Sequence, residues 1–534
     1  MRLPQLFPLV SLIVTVASYP SPSFQERCAA LADSIELDQP FAINVAQYLP
    51  PNATIDYNAE GLNETCADTI AYPIPVGVCR LNLRVATSER SELYMEVWLP
   101  EQWEGRLLTT GNGGLAGCIQ YPELAFGASS GFAAFGTNAG HNGTSGGAFY
   151  QQPEVLEDFV WRAVYNGAHI GKTISKQFYS KDCGKSYYLG CSQGGRQGFK
   201  AVQEYPELFD GVIAGAPAID LMASIAWFGY AYETLGFNAN SSLISAEQWL
   251  AVEAEVLHQC DALDGATDNI LEDPTACKFD WTPLLWPSSN SSSPCLTPTQ
   301  ASSVAKLFAP ITYANTTLHP GHFHGYEPSL LTILYSPLVS TWLAEAFRYI
   351  IYQNLTWDPT TFTLADAYTA YTLNPSNANT FDADLSAFRA RGGKMLHWHG
   401  TADPLLSASV SELYYNNVRS AMDASVEELD EFYRYFRAGG VAHCSGGLGA
   451  SFMGQLGGMA VSESPEDNML RRIVAWVEQG EAPEFVRGTK FVNESVEIGV
   501  EFTRRHCKYP RVNKYVGEGD GTDEEGWVCV EPET

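Results

Sequence analysis

Short apolar runs that end in glycine-bearing turns recur through the first part of the chain. Arg106–Thr110 leads into Gly111-Asn112-Gly113-Gly114, and Phe132–Thr137 leads into Asn138-Ala139-Gly140-His141. Ser186-Tyr187-Tyr188-Leu189 leads into Gly190-Cys191-Ser192-Gln193-Gly194, and Gly211-Val212-Ile213-Ala214-Gly215-Ala216 follows. Runs of this kind predict strands, and their alternation with helical stretches such as 195–205 predicts a mostly parallel α/β sheet. From about Leu221 to Arg391 the pattern changes. Aromatic residues, Asn, Ser and Pro become frequent, strand signals are sparse, and 288–298 is a Ser/Pro-rich loop. Strand signals return at Lys394-Met395-Leu396-His397-Trp398-His399 and at Phe432-Tyr433-Arg434-Tyr435-Phe436. The expected organisation is one α/β domain, residues 19–220 and 392–534, with a lid inserted at 221–391. Two independent domains are the weaker alternative.

The size of the chain agrees with a large core plus an insertion: 534 residues, 45% of them hydrophobic. At the start, Met1-Arg2-Leu3 carries one positive charge, residues 6–17 are apolar, and Ser18-Tyr19-Pro20 follows. This predicts a secretory signal peptide over residues 1–18, since the run is too short to span a bilayer. An extracellular destination makes bridges of most of the 12 cysteines. It also makes glycosylation acceptors of the N-x-S/T sequons at Asn52, Asn63, Asn142, Asn240, Asn290, Asn315, Asn354 and Asn493. The formal net charge of −30 excludes nucleic acid and anionic membrane surfaces as partners and disfavours polyanionic pectin. No sequence feature speaks to oligomeric state.

The chemistry centres on Gly190-Cys191-Ser192-Gln193-Gly194. A G-x-S-x-G between a strand and a helix is the nucleophile elbow of α/β-hydrolases. A hydroxyl needs a base to take its proton and an acid to orient that base. His443, in Gly439-Gly440-Val441-Ala442-His443-Cys444, is the expected base, and Asp403, in His399-Gly400-Thr401-Ala402-Asp403-Pro404, the expected acid. Their order, Ser…Asp…His, is that of the α/β-hydrolase fold, and it straddles the lid. The oxyanion hole is expected from the N–H of Gln193 and from the glycine turn 111–114, with Gly113 and Gly114 as candidates. One cysteine precedes the nucleophile and another follows the base. A Cys191–Cys444 bridge would therefore tie Ser192 to His443 covalently.

These motifs resemble the fungal tannase and feruloyl esterase family, which carries Cys-Ser at the elbow and His-Cys at the base with the cysteines bridged. The resemblance extends over essentially the whole mature chain and includes 111–114 and 190–198. It implies an α/β-hydrolase core, a large lid and hydrolysis of phenolic esters. It also implies a structural calcium ion in the lid, held by the side chains of Asp261, Asp264 and Asp268 and the carbonyls of Ala266 and Ile270. Three carboxylates so close in sequence repel one another unless a hard cation sits among them, and calcium takes six to eight oxygens. A Cys260–Cys277 bridge would close that loop. Family likeness further implies Cys28–Cys79, Cys66–Cys118 and Cys507–Cys529. Cys183 and Cys295 are left either free or paired with each other.

Within the family the substrate is a hydroxycinnamate or a galloyl ester. Tannases of this kind are typically cut in the lid at Lys-Arg. The adjacent basic pairs here are Arg471-Arg472 and Arg504-Arg505, both beyond the lid. That favours feruloyl and p-coumaroyl esters on plant cell-wall polysaccharides over gallate. Trp227-Phe228-Gly229-Tyr230 and Tyr232 offer an apolar slot for a ring, although most of them read as lid core. An inert, calcium-stabilised secreted binding protein is the alternative from another class, and the complete Ser–Asp–His set argues against it.

Overall fold

A computed structural model of the chain describes residues 22–56, 73–237, 243–285 and 295–532. The signal peptide, Cys66 with its expected bridge to Cys118, and the sequons at Asn63, Asn240 and Asn290 lie outside the described residues. Asn52, Asn142, Asn315, Asn354 and Asn493 are all exposed.

The apolar runs form the centre of a nine-stranded sheet. In chain order its first strands are β1 (Phe41–Leu49), β2 (Val78–Ala86), β3 (Glu92–Pro100), β4 (Arg106–Thr110), β5 (Phe132–Thr137), β6 (Lys185–Cys191) and β7 (Gly211–Gly215). A two-stranded hairpin, β8 (Ile311–Tyr313) and β9 (Thr316–His319), stands apart, and β10 (Lys394–Gly400) and β11 (Tyr433–Ala438) complete the sheet. The order is β1-β2-β3-β5-β4-β6-β7-β10-β11. From β5 to β11 all pairs are parallel, and β5 and β7 are buried along their whole length, as strands covered on both faces must be.

The antiparallel edge, β1 to β3 with β3 on β5, is absent from the sequence reading. Its strands carry charges that interrupt the apolar pattern. Buried Arg80 on β2 reaches buried Glu96 on β3 through two hydrogen bonds, at 3.0 and 2.7 Å, while Asn82 and Trp98 donate to the same carboxylate at 3.1 and 2.9 Å. A buried charge is tolerated only when paired in this way, and the pairing is invisible in one strand alone.

Among the described residues between β7 and β10 the elements are helices apart from the hairpin, and none adds a strand to the main sheet. Helices Leu221–Leu235 and Leu364–Leu373 pack against each other there. After β11 come helix Met469–Gln479 and two hairpins, β12 (Phe485–Phe491) with β13 (Val500–Cys507), and β14 (Val512–Tyr515) with β15 (Trp527–Val530). Disulfides join Cys28 to Cys79, Cys191 to Cys444, Cys260 to Cys277 and Cys507 to Cys529. Cys183 is a half-buried free thiol, so it forms no bridge with Cys295. Among the described residues no helix is long and apolar enough to cross a membrane.

Helix Gln193–Glu204 begins two residues earlier than the pattern suggests, directly after Ser192, and is buried from Gln193 to Val202. Glycine permits that depth. A Cβ on Gly190 would lie 2.6 Å from the Gly194 backbone, and one on Gly195 would lie 2.4 Å from the Gly215 carbonyl oxygen at the end of β7. Gly195→Ala should therefore destabilise the fold by about 1–3 kcal/mol through overpacking. Thermal melting checks this against Gly113→Ala, whose Cβ meets nothing within 4 Å and which should melt with the unsubstituted chain.

Candidate active site

Ser192 occupies the sharp turn between β6 and helix Gln193–Glu204, with φ 62° and ψ −122°. A non-glycine residue keeps such a conformation only where its surroundings enforce it. Here its N–H donates to Gly215 O at 3.0 Å, and its carbonyl accepts from Arg196 N at 3.0 Å and Ala218 N at 3.1 Å. Arg196, fully buried, donates to the Gln193 side chain at 2.8 Å, to Ala378 O at 3.0 Å and to Val160 O at 2.7 Å. Burial pushes this guanidinium down to about 10.

Asp403 follows the end of β10 and His443 follows β11. His443 Nδ1 lies 2.7 Å from Asp403 Oδ2, which leaves Nε2 for another partner. Asp403 Oδ1 accepts from the N–H groups of Leu405 at 2.8 Å and Leu406 at 3.0 Å. Burial pushes the Asp403 carboxyl up, but the His443 charge and hydrogen bonds from His399 and His443 outweigh it and hold the group well below the usual carboxylate range. The Cys191–Cys444 disulfide, with Cα atoms 5.9 Å apart, brings the His443 loop to the elbow.

Ser192 and His443 line one narrow cavity together with Gly114, Gln193 and an apolar wall of Leu115, Leu221, Ile225, Phe228, Trp342, Leu405 and Leu406. A cavity of about 310 Å³ shares Gly114, Ser192, Trp342, Leu405 and His443 with it and continues past Gly113, Glu123 and Cys444. Of the aromatic lid residues singled out in the sequence, Phe228 reaches this wall, whereas Trp227 packs on His322 with centroids 4.1 Å apart. Trp342, from helix Pro337–Glu345, has no signal in the sequence. It meets Gly114 so closely that a Cβ there would lie 3.1 Å from the indole.

The turn 111–114 is locked from beneath. Asn112 N donates to Gln197 Oε1 at 3.0 Å, Gln197 Nε2 donates to Asn112 Oδ1 at 3.0 Å, and Asn112 Nδ2 donates to Cys118 O and Thr137 O at 2.8 and 2.7 Å. Gly111 N donates to Leu189 O at 3.0 Å. The N–H groups of Gly111 and Asn112 are thus used within the fold. Gln193 opens its helix, so its N–H has no intrahelical acceptor.

The acidic loop forms a separate cluster. Asp264 accepts from Ala266 N and Glu272 N, both at 3.1 Å. Asp268 accepts from Ile270 N at 3.1 Å and from Arg504 Nη2 at 2.9 Å, and Arg504 also pairs with Glu272. Burial, reinforced by the charge of Glu272, pushes the Asp264 carboxyl up to about 7, and burial raises Asp261 and Asp268 as well. Asp261 Oδ1 is buried without a partner among the described residues. Among those residues no three His, Cys, Asp or Glu side chains converge into a metal-holding group.

With this geometry in place, comparison with known proteins is direct. The family described as tannase and feruloyl esterase matches residues 77–530. A probable feruloyl esterase B-1 from Aspergillus flavus is 45% identical over 509 residues, 95% of this chain and 96% of the relative. A crystal structure of an esterase from Aspergillus oryzae superposes with a TM-score of 0.91 at 44% identity, covering 95% of this chain and 100% of that one. The crystal structure of feruloyl esterase B from Aspergillus oryzae gives 0.89 at 40% identity, with the same coverage. The chain folds as an α/β-hydrolase and belongs to the tannase and feruloyl esterase family.

Proposed function

We propose that the chain is a secreted serine esterase that hydrolyses feruloyl and p-coumaroyl esters of plant cell-wall polysaccharides. The observation that carries this reading is the Ser192–His443–Asp403 set, tied by the Cys191–Cys444 bridge and opening onto a narrow apolar cavity. Ser192 Oγ attacks the ester carbonyl while His443, held by Asp403 through Nδ1, takes the hydroxyl proton at Nε2. The N–H of Gln193 and those of Gly113 and Gly114 receive the developing oxyanion. His443 returns the proton to the departing sugar alcohol. Water, deprotonated by the same imidazole, then attacks the acyl-serine and releases the phenolic acid. The Phe228–Trp342 wall suits a planar ring. The lack of a Lys-Arg pair in the lid and the names of the relatives favour hydroxycinnamates over gallate.

The acidic loop supports a structural calcium ion. Asp261, Asp264 and Asp268, with the Ala266 and Ile270 carbonyls, are hard oxygen donors of the kind calcium takes. Among the described residues, burial of three carboxylates against the guanidinium of Arg504, with Asp261 Oδ1 lacking a donor, leaves a place for positive charge. When bound, the ion neutralises the loop; it takes no part in acyl transfer. The apolar run 6–17 and the exposed sequons support export and glycosylation.

Three outcomes are expected. Methyl ferulate and methyl p-coumarate are hydrolysed in preference to methyl gallate, and Ser192→Ala lowers turnover by about 10⁴-fold or more. Preference for gallate would make the chain a tannase, and a Ser192 inert to a fluorophosphonate probe would remove the esterase reading altogether. A Cys191→Ala/Cys444→Ala variant loses roughly 10- to 100-fold in kcat at temperatures where it is still folded, because the base is no longer held against the nucleophile. Full activity in that variant sinks the preorganising role. Calcium at about 100 times its Kd stabilises the chelator-treated protein by about 2.7 kcal/mol in thermal melting. Asp261→Asn/Asp264→Asn should melt identically with and without calcium.

A further inference from the structure

Behind Asp403 runs a line of buried hydrogen bonds that acyl transfer does not itself require. His399 Nε2 lies 3.2 Å from Asp403 Oδ2 and 3.0 Å from Leu406 O. His399 Nδ1 is 2.7 Å from Ser411 Oγ, which is 2.9 Å from His397 Nε2, and His397 Nδ1 is 2.9 Å from the Tyr433 hydroxyl. All five side chains are buried. Ser411 lies on helix Ala408–Ala421, His397 and His399 on β10, and Tyr433 on β11, so rigid elements hold every member.

Counting protons gives the line a direction. Ionised Asp403 and the Leu406 carbonyl only accept, so His399 Nε2 carries a hydrogen. In a neutral imidazole Nδ1 is then a lone pair, which can only accept. Ser411 therefore donates to His399 Nδ1 and accepts from His397 Nε2–H, and His397 Nδ1 accepts from Tyr433 O–H. Each bond is then satisfied by one proton arrangement, pointing from Tyr433 toward Asp403. Burial holds His397 well below the usual imidazole range, which agrees with a neutral ring. From the lid, His319 and His322 face the same region. Burial pushes His319 down to about 3 and holds His322 well below its usual range, so neither brings a competing charge. His443 is the remaining titratable group on Asp403.

We propose that His399 is a positioning residue for the reaction, held by Ser411, His397 and Tyr433 in the one tautomer that donates to Asp403. This rests on the serine-esterase reading. With it, Asp403 has four donors: two backbone N–H groups on Oδ1, and His443 with His399 on Oδ2. The carboxylate cannot rotate without breaking several of them. Sharing Oδ2 also spreads its charge, so Asp403 stabilises the His443 imidazolium less than an unshared carboxylate does. Loss of the His399 donor should loosen the base, which lowers kcat. It should also strengthen the remaining Asp403–His443 pair, which moves the acid limb of kcat/KM to higher pH.

The test uses the full chain with Ser411→Ala, His399→Leu and His399→Gln, measured on methyl ferulate across pH, with fluorophosphonate labelling of Ser192 across the same range and melting temperature as a control. Ser411→Ala and His399→Leu should lower kcat about tenfold, the worth of one hydrogen bond to a charged group, with KM nearly unchanged. Their acid limbs should rise by about half a pH unit or more. His399→Gln, whose amide restores a donor, should recover part of both. If the substituted chains keep the unsubstituted acid limb in hydrolysis and in labelling, the proposal is overturned, whether or not kcat or melting temperature falls. An unsubstituted chain that labels but hydrolyses no phenolic ester removes the proposed substrate and leaves this proposal to the labelling profiles. A chain that does not label at all overturns the esterase reading and this proposal with it.

Discussion

The Cys191–Cys444 bridge sets the distance between two chain segments that the sheet by itself would keep apart. β6, which ends at Cys191, and β11, which precedes His443, are separated in the sheet by β7 and β10. Three strand spacings amount to roughly 14 Å. The loop after β11 must therefore turn back across the ends of two strands to reach the elbow. It does so with Gly440, Gly446 and Gly447 at positive φ, with Gly449 N donating to Gly440 O at 2.9 Å and Lys490 capping Gly447 O at 2.6 Å. The bridge spans 253 residues and encloses everything between β6 and the loop after β11. Closing a loop of that length removes roughly 5 kcal/mol of unfolded-chain freedom.

Two buried acidic sites in the molecule are handled differently. Among the described residues Asp403 has neither lysine nor arginine against it and is kept ionised by hydrogen bonds from two backbone N–H groups and two imidazoles. A carboxylate held this way stays charged and fixed in direction, which is what orienting an imidazole requires. The loop 261–272 concentrates carboxylates around Arg504, which stacks over Trp527 at 3.7 Å and reaches Asp268 and Glu272. Asp261, Asp264 and Asp268 rise in proton affinity because burial outruns the available donors. The first arrangement serves chemistry at one atom. The second binds the loop to the C-terminal hairpins and leaves excess negative charge.

The parallel half of the sheet and the Ser192, Asp403 and His443 positions were legible in the sequence because they depend on local signals. Short apolar runs ending in glycine mark strands buried on both faces, and a serine between such a strand and a helix marks the elbow. The Cys191–Cys444, Cys28–Cys79, Cys260–Cys277 and Cys507–Cys529 pairings followed from adjacency or from family likeness. What stayed hidden depends on contacts between distant segments. β2 and β3 carry Arg80, Asn82 and Glu96, which read as surface residues until one strand's charge is seen to satisfy the other's. Trp342 is one aromatic among many between β7 and β10, and only the fold brings it against Gly114. His399 sits four residues before Asp403 in plain view. Its role depends on Ser411 and Tyr433, which helix Ala408–Ala421 and β11 carry to β10. Local chemistry and period are written along the chain, whereas the pairing of buried polar groups is decided only when separate elements meet, because each group's partner is chosen by packing and not by sequence distance.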